Sequence, residues 1–388
     1  MITGVPRRIL PAIVFSQFSG VSVWFAGNAV MPDLIRDGGL PADALGDVTA
    51  AVQLGFIAGT LVFAVLAIAD RLSPRRVFLV SAVLAAITNG VICITGAELW
   101  PLLALRFATG FWLAGIYPVG MRIAAGWFDK NLGSALGFLV GALVLGTALP
   151  HLIRALGQDW PWQAVILSAS AVAVLGGAVM YVFVPDGPHL RLGARFDVSA
   201  LTAIFRSADF RASSFGYFGH MWELYTFWAF VPAYIVAHEQ FAGANQQAIS
   251  FVTFLVIGFG LFGCVLGGLA SRTYGSARVA KVQLSASGIC CLISPLALLL
   301  PLPALVVYLL FWGIVVAGDS PQFSALNART APPELVGSAL TIINCIGFSI
   351  SVVSIQFVNE LRGELSVAYL FLLLAPGPLL GLLALRRQ

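Results

Sequence analysis

Long apolar runs separated by short polar clusters dominate the chain. They fall at 10–31, 48–68, 77–97, 101–125, 132–153, 162–184, 212–235, 247–270, 279–300, 304–327, 336–358 and 367–385. An α-helix of roughly 18–25 apolar residues crosses a hydrocarbon core of about 30 Å, so each run predicts one transmembrane helix. The breaks between them carry charge or Pro/Gly, as in Asp70-Arg71, Asp129-Lys130, Pro185-Asp186-Gly187 and Pro332-Pro333. The pattern predicts an all-α membrane protein of about twelve spans.

Composition agrees. The 388 residues are 59% apolar and 10% charged, with a mean hydropathy of +0.94. Soluble domains carry roughly 25% charged residues, and their cores stop growing near about 250–300 residues. The net charge of +4 does not mark a nucleic-acid binder, because the basic residues lie in short loops rather than in one patch. Cys93, Cys264, Cys290, Cys291 and Cys345 all fall inside apolar runs, which excludes a disulfide framework and a Cys-x-x-Cys metal site. Arg7 and Arg8 before an apolar stretch imitate a signal peptide, but Leu10–Met31 is long enough to span a bilayer.

Lys and Arg are distributed 16 to 3 between the two sides, with Arg106 and Arg122 inside a span. The richer side holds Arg7, Arg8, Arg71, Arg75, Arg76, Lys130, Arg191, Arg195 and both chain ends; the poorer side holds Arg36, Arg154 and Arg362. By the positive-inside rule, both termini and the 185–211 loop are expected in the cytoplasm.

The chain also repeats. Gly133-Ser134-Ala135-Leu136 recurs as Gly337-Ser338-Ala339-Leu340, and Ala114-Gly115-x-x-Pro118 as Ala317-Gly318-x-x-Pro321. Pro32-Asp33-Leu34-Ile35 echoes Pro232-Ala233-Tyr234-Ile235, so the three offsets stay between 200 and 204. Two six-helix halves, 1–184 and 212–388, joined by a loop at 185–211 are expected.

The loop Ala69-Asp70-Arg71-Leu72-Ser73-Pro74-Arg75-Arg76 resembles the Gly-x-x-x-Asp-Arg-x-Gly-Arg-Arg signature of the major facilitator superfamily (MFS). Gly267-Gly268-Leu269-Ala270-Ser271-Arg272 resembles its degenerate second copy, and Arg106-Phe107-Ala108-Thr109-Gly110 the family's Arg-x-x-x-Gly element. Leu66 replaces the signature's Gly and Ser73-Pro74 its Gly-Arg, which puts the loop's gating role in question. The resemblance implies rigid-body rocking of two halves around a central site, with Asp70, Arg71, Arg75, Arg76 and Arg272 as gating residues. It implies an integral protein of a bacterial inner membrane that acts as a monomer on a small solute. The superfold carries many solutes and names none.

Ionisable groups inside a bilayer cost roughly 2.5–3.5 kcal/mol at a helix centre on insertion scales and usually mark function. Among the acids, Glu223 and Asp319 lie well inside spans, joined by Arg106, Arg122 and His220. His220 and Glu223 are three apart and share a helix face, while Asp319 lies on another helix at a depth close to His220. These three are expected to carry coupled protons, with a buried pair that merely pins its helix as the plainer reading. Arg106 either binds an anionic solute, pairs with one of the acids or braces helices. Arg122 and His151, nearer the span ends, read as snorkelling or structural groups.

Gly/Pro-interrupted spans at corresponding places in both halves point to a transport site. Gly115-Ile116-Tyr117-Pro118 and Gly318-Asp319-Ser320-Pro321-Gln322 fit, though a plain kink explains them too. Solute contacts are expected from Arg106, Gln17, Trp24, Asn28, Tyr117, Trp222, Tyr225 and Gln322; for Gln17, Trp24 and Asn28 this rests on the resemblance, which lines the cavity with helices 1, 4, 7 and 10. Gly137, Gly141, Gly146 and Pro150 faintly resemble the family's antiporters, and small residues at helix contacts explain them as well. Gly258-Phe259-Gly260-Leu261-Phe262-Gly263 matches a dinucleotide-binding pattern, but it lies mid-span with no preceding strand. No cofactor or metal is expected. The reading is a secondary transporter of a small solute, an anion if Arg106 binds it, coupled to protons. An antiporter or an uncoupled facilitator stands next, and a membrane enzyme is disfavoured by the repeated halves.

Overall fold

A computed structural model of the protein describes residues 5–96, 98–128, 132–190, 197, 200–241 and 243–387. Lys130, Arg191 and Arg195 lie outside the described residues, as does the side chain of Asp70.

Among the described residues, twelve helical segments cross back and forth. In chain order they are α1 (Ile9–Gly20, resuming as Ala26–Ala29), α2 (Ala44–Val65), α3 (Pro74–Thr95), α4 (Leu99–Leu113 and Tyr117–Trp127), α5 (Leu132–Leu156) and α6 (Trp162–Phe183). The second set is α7 (Ala208–Val236), α8 (Gln246–Gly258 and Gly260–Tyr274), α9 (Ser276–Ala297), α10 (Leu302–Gly318 and Ser320–Thr330), α11 (Val336–Leu361) and α12 (Val367–Leu370 with Pro376–Ala384). Ten of these are long and apolar enough to span a membrane by length and composition. The exceptions are α1, which is broken, and α7, which carries His220 and Glu223.

Five runs expected as single helices are divided, α12 by a 3₁₀ turn at Phe371–Leu374. In α4 the chain tightens at Gly115, whose N–H reaches Trp112 O at 2.9 Å, and at Ile116, which reaches Leu113 O at 3.0 Å. In α10 the break falls at Asp319. Pro118 and Pro321 each sit in the first turn of the resumed helix, where a missing N–H does least harm. In α8 the divide is Phe259, flanked by Gly258 and Gly260. In α1 the residues 21–25 turn rather than coil regularly. The Trp24 carbonyl there faces a guanidinium instead of a helical N–H, and the Val23 carbonyl takes the same guanidinium beside the Ala26 N–H at 3.4 Å.

Lipid gives helices no hydrophobic reason to associate, so close contact relies on small residues. A Cβ on Gly110 would lie 1.9 Å from Val52 O, and one on Gly59 would lie 2.3 Å from Phe111 O, so α2 and α4 touch backbone to backbone. The second half repeats this: a Cβ on Gly313 would lie 1.9 Å from Val256 O, and one on Gly263 would lie 1.9 Å from Ile314 O, joining α8 to α10. The glycine pairs Gly110/Gly313 and Gly59/Gly263 are offset by 203 and 204, which continues the sequence repeat into packing.

The halves meet at both ends. At the end away from the termini, Gln356 Nε2 of α11 donates to Asp47 Oδ1 of α2 at 2.9 Å, and Asn359 Nδ2 donates to Asp43 O at 2.9 Å. At the terminal end, Arg272 of α8 donates to Ser134 Oγ of α5. Ser338 occupies the repeat-equivalent place, and its Oγ accepts from Asp197 N–H at 3.0 Å.

Candidate functional site

The break in α10 sets Asp319 and Ser320 against α7. His220 Nδ1 lies 2.8 Å from Asp319 Oδ1, with both side chains buried. Neither carboxylate oxygen has a donor aligned for a full hydrogen bond, so the contact is short but bent. The other ring nitrogen, Nε2, lies 2.7 Å from Ser320 Oγ. With the ring proton on Nδ1, Nε2 accepts from the Ser320 hydroxyl, and protonation at Nε2 would reverse that bond.

Glu223 shares a helix face with His220, yet the two side chains serve different neighbours. Glu223 Oε1 accepts from Trp312 Nε1 of α10 at 2.7 Å and from Cys291 Sγ of α9 at 3.3 Å. Its Oε2 accepts from Ser287 Oγ of α9. A buried carboxylate so surrounded is fully hydrogen-bonded, but only by neutral donors. These partners come from residues 64–89 positions distant, which no local spacing announces.

Between the halves lies a cavity of about 30 Å³, roughly the volume of one water. Tyr117, Tyr217, Tyr225, Trp228, Ser320 and Asn344 are among its walls, so Ser320 belongs to both the cavity and the His220 contact. Aromatic rings from both halves close over it. Trp24 packs on Phe56 (4.9 Å between ring centres) and on Tyr225 (5.9 Å), and Phe348 lies 4.5 Å from Phe56.

The remaining expected residues take varied places. Arg106 is fully buried, and its Nη1 donates to Val23 O and to Asn89 Oδ1, both at 3.0 Å, while Nη2 donates to Trp24 O. Asn89 in turn donates to Ser170 Oγ at 3.0 Å, tying α3 to α6. Gln17 packs inside the first half against Gly120. Asn28 Nδ2 donates to Thr49 Oγ1 at 2.8 Å on α2. Trp222 donates to Leu373 O at 3.0 Å, towards α12, and Gln322 is buried on α10.

In the loop after α2, Ser73 Oγ donates to Asp186 at 2.9 Å, and Arg75 stacks over the Tyr181 ring 5.4 Å from its centre. Arg71 and Arg76 are exposed. Sequence reasoning missed Asn89, Ser287, Trp312 and Asn344. Asn89 could have been found, since it is an amide inside an otherwise apolar run.

At the end away from the termini, Asp33 Oδ1 receives both Arg154 and Arg36, each at 2.8 Å, on the wall of a surface depression of about 860 Å³. Arg36 also binds Asp37 at 2.7 Å, and that hydrogen bond holds the Asp37 carboxyl below its ordinary range.

The fold has counterparts among known proteins. Among solved structures, the human organic anion transporter MFSD10 (TETRAN) superposes with a TM-score of 0.75 at 16% identity, covering 98% of this chain and 99% of that one. The MFS proton:xylose symporter XylE bound to 6-bromo-6-deoxy-D-glucose gives 0.75 at 13% identity, with 97% and 95% covered. At such identities the likeness speaks for the fold.

Among curated proteins, the MFS transporter asaE of Aspergillus flavus is 24% identical over 247 residues, 61% of this chain and 52% of that protein. The gallate transporter of Pseudomonas putida is 27% identical over 162 residues, 38% of this chain and 36% of that protein. The chain thus matches about half the length of the first and about a third of the second. The pattern that defines the Major Facilitator Superfamily matches residues 13–355. That match takes in most of the chain, and the chain belongs to the Major Facilitator Superfamily.

Proposed function

We propose that the chain moves a small solute by alternating access and couples that movement to protons carried by His220, Asp319 and Glu223. The observation that carries this is the 2.8 Å contact between His220 and Asp319, joined through Ser320 to the cavity between the halves. Such a contact offers a site for a proton between two helices, and a solute touching Ser320 would act on it directly. The contact lies at the break of α10, the backbone that must shift when the halves rock.

Within this reading, Arg106 braces α1 rather than binding solute, because its Nη groups are committed to Val23, Trp24 and Asn89. An anionic solute therefore has no support from Arg106. The gating role belongs to Arg272 at the terminal end and to the α2–α11 contacts at the other. Arg75, which stacks on Tyr181 of its own half, has a bracing part. The termini lie on the cytoplasmic side of a bacterial inner membrane, following the 16-to-3 charge bias, and the working unit is a monomer.

The test is purified protein in proteoliposomes with an internal pH dye. Solute counterflow is measured at equal pH and under an imposed pH gradient. Proton movement that tracks solute movement supports the proposal, and solute flux indifferent to the gradient sinks the coupling.

A further inference from the structure

We infer that the solute is a compact, uncharged aromatic molecule bearing hydroxyl groups along one edge, an inference that rests on the cavity being the transport site. The walls divide by chemistry. Ser320 and Ser324 from α10 and Asn344 from α11 are polar, and Tyr217 Oη donates to Asn344 Oδ1 at 3.2 Å. The three residues that α5 contributes, Val140, Leu143 and Val144, are all apolar. Rings fill much of the rest. Tyr225 stands 5.1 Å from Phe348 and 5.2 Å from Trp228, centre to centre.

Three solute classes can be weighed against those walls. A carboxylate or phosphate needs a cation or several converging N–H groups, and no Lys, Arg, His, Asp or Glu lines the cavity. Arg106 is not on the cavity wall, and its Nη groups serve α1 and Asn89. Leaving an anion unpaired in a low-dielectric cavity carries a prohibitive desolvation penalty.

A sugar presents hydroxyls around its whole rim. The α5 side would leave several without partners, each weakening binding by roughly 5- to 150-fold.

A flat ring with hydroxyls on one edge suits both walls. Its faces replace the ring contacts that now close the cavity, and its hydroxyls meet the two serines and the amide. Each aromatic pair adds roughly 2- to 12-fold beyond the area it buries.

The test uses the purified full chain in lipid nanodiscs and reads binding by calorimetry and by the thermal unfolding midpoint. The probes are resorcinol, hydroxybenzyl alcohol and naphthol, each paired with its ring-saturated counterpart, alongside hydroxybenzoate and xylose. At least one phenol should bind, at least about 10-fold tighter than its saturated partner, since two ring faces are engaged. Asn344→Ala and the milder Tyr217→Phe should each weaken that binding.

The matched pairs on the unaltered protein keep the inference open to refutation if a variant folds poorly. Failure of all three phenols, equal binding of the saturated partners, or tighter binding of hydroxybenzoate or xylose overturns it. Gradient-driven flux of some other solute alongside phenol failure would sink the aromatic class and leave the transport reading standing. A phenol that binds but crosses without regard to the pH gradient would do the reverse to the coupling.

Discussion

His220 of α7 and Asp319 of α10 are 99 residues apart in sequence and 2.8 Å apart in space. Two helices that contribute walls to the same cavity thus hold one titratable contact between them. Glu223 sits one turn along α7 in a separate pocket of neutral donors. On the proposed coupling, the pair meets the solute at the cavity and Glu223 acts apart from it, on α9 and α10.

Asp319→Asn should therefore abolish accumulation driven by a pH gradient while sparing exchange at equal pH. His220→Ala should move the pH dependence of transport rather than eliminate it. Glu223→Gln keeps the hydrogen-bonding shape but no longer titrates, and it too should stop gradient-driven accumulation. A structural role instead predicts lower folded yield and equal losses in driven and exchange transport. Full gradient-driven uptake by both carboxamide variants would refute the coupling.

Arg106 gives a stability prediction. Arg106→Ala would strand the Trp24 carbonyl and Asn89 Oδ1, each at about 1–3 kcal/mol if no water reaches it, and would leave the Val23 carbonyl only the Ala26 N–H. Arg106→Lys keeps the charge but not the planar fork that serves several acceptors at once. The unfolding midpoint in detergent should fall in the order Arg, Lys, Ala. Transport lost at unchanged midpoint would show that Arg106 acts on solute rather than on α1.

The glycine contacts predict a matched pair of failures. Gly110→Ala and Gly313→Ala would each drive a methyl into a backbone carbonyl 1.9 Å away, Val52 O and Val256 O. Overpacking costs about 1–3 kcal/mol, and a rigid backbone target belongs at the upper end of that range. Gly133→Ala meets nothing within 4 Å and should fold as well as the parent. Monodisperse yield by size-exclusion chromatography decides it, and normal yield from both core variants would mean that α2–α4 and α8–α10 pack less tightly than they stand here.

The proposed orientation rests on the charge bias and has a direct check. A cysteine at position 195, in a chain whose five native cysteines are replaced, should react with an impermeant thiol probe only after the membrane is opened. Labelling from outside intact cells would invert the topology.

How much of this was legible in the sequence depends on the range of the interaction. The spans and the repeat follow from local hydropathy and fixed offsets. The breaks in α4 and α10 are also local, because Pro118 and Pro321 act on the turn that precedes them. Depth arithmetic along α7 and α10 put His220 and Asp319 level, and they touch. Rotation about a helix axis is different, since it is set by packing against distant segments. That is why Glu223 turns to Ser287 and Trp312, and why Arg106 turns to α1, without any local signal. The break at residues 21–25 of α1 belongs to the same class, because its Trp24 carbonyl is satisfied by a distant guanidinium.

The last prediction concerns the closed end. Asp47–Gln356 and Asp43–Asn359 join α2 to α11 at the end away from the termini, and rocking the halves open there must break both. A neutral intramolecular hydrogen bond is worth about 1 kcal/mol net, and one to a charged group about 1.5–3 kcal/mol. Gln356→Ala removes the bond to the Asp47 carboxylate and should raise the population open at that end by about 10-fold or more, since about 1.4 kcal/mol is a factor of ten. Asn359→Ala should act in the same direction by about 5-fold, the equivalent of about 1 kcal/mol. Spin labels on the ends of α2 and α11 would read the two distances and their weights. Gly46 packs directly on the Asn359 side chain, so Asn359→Ala also opens space, whereas Gln356→Ala tests the bond alone. Unaltered distance populations in Gln356→Ala would show that backbone packing, not this polar pair, holds the end shut.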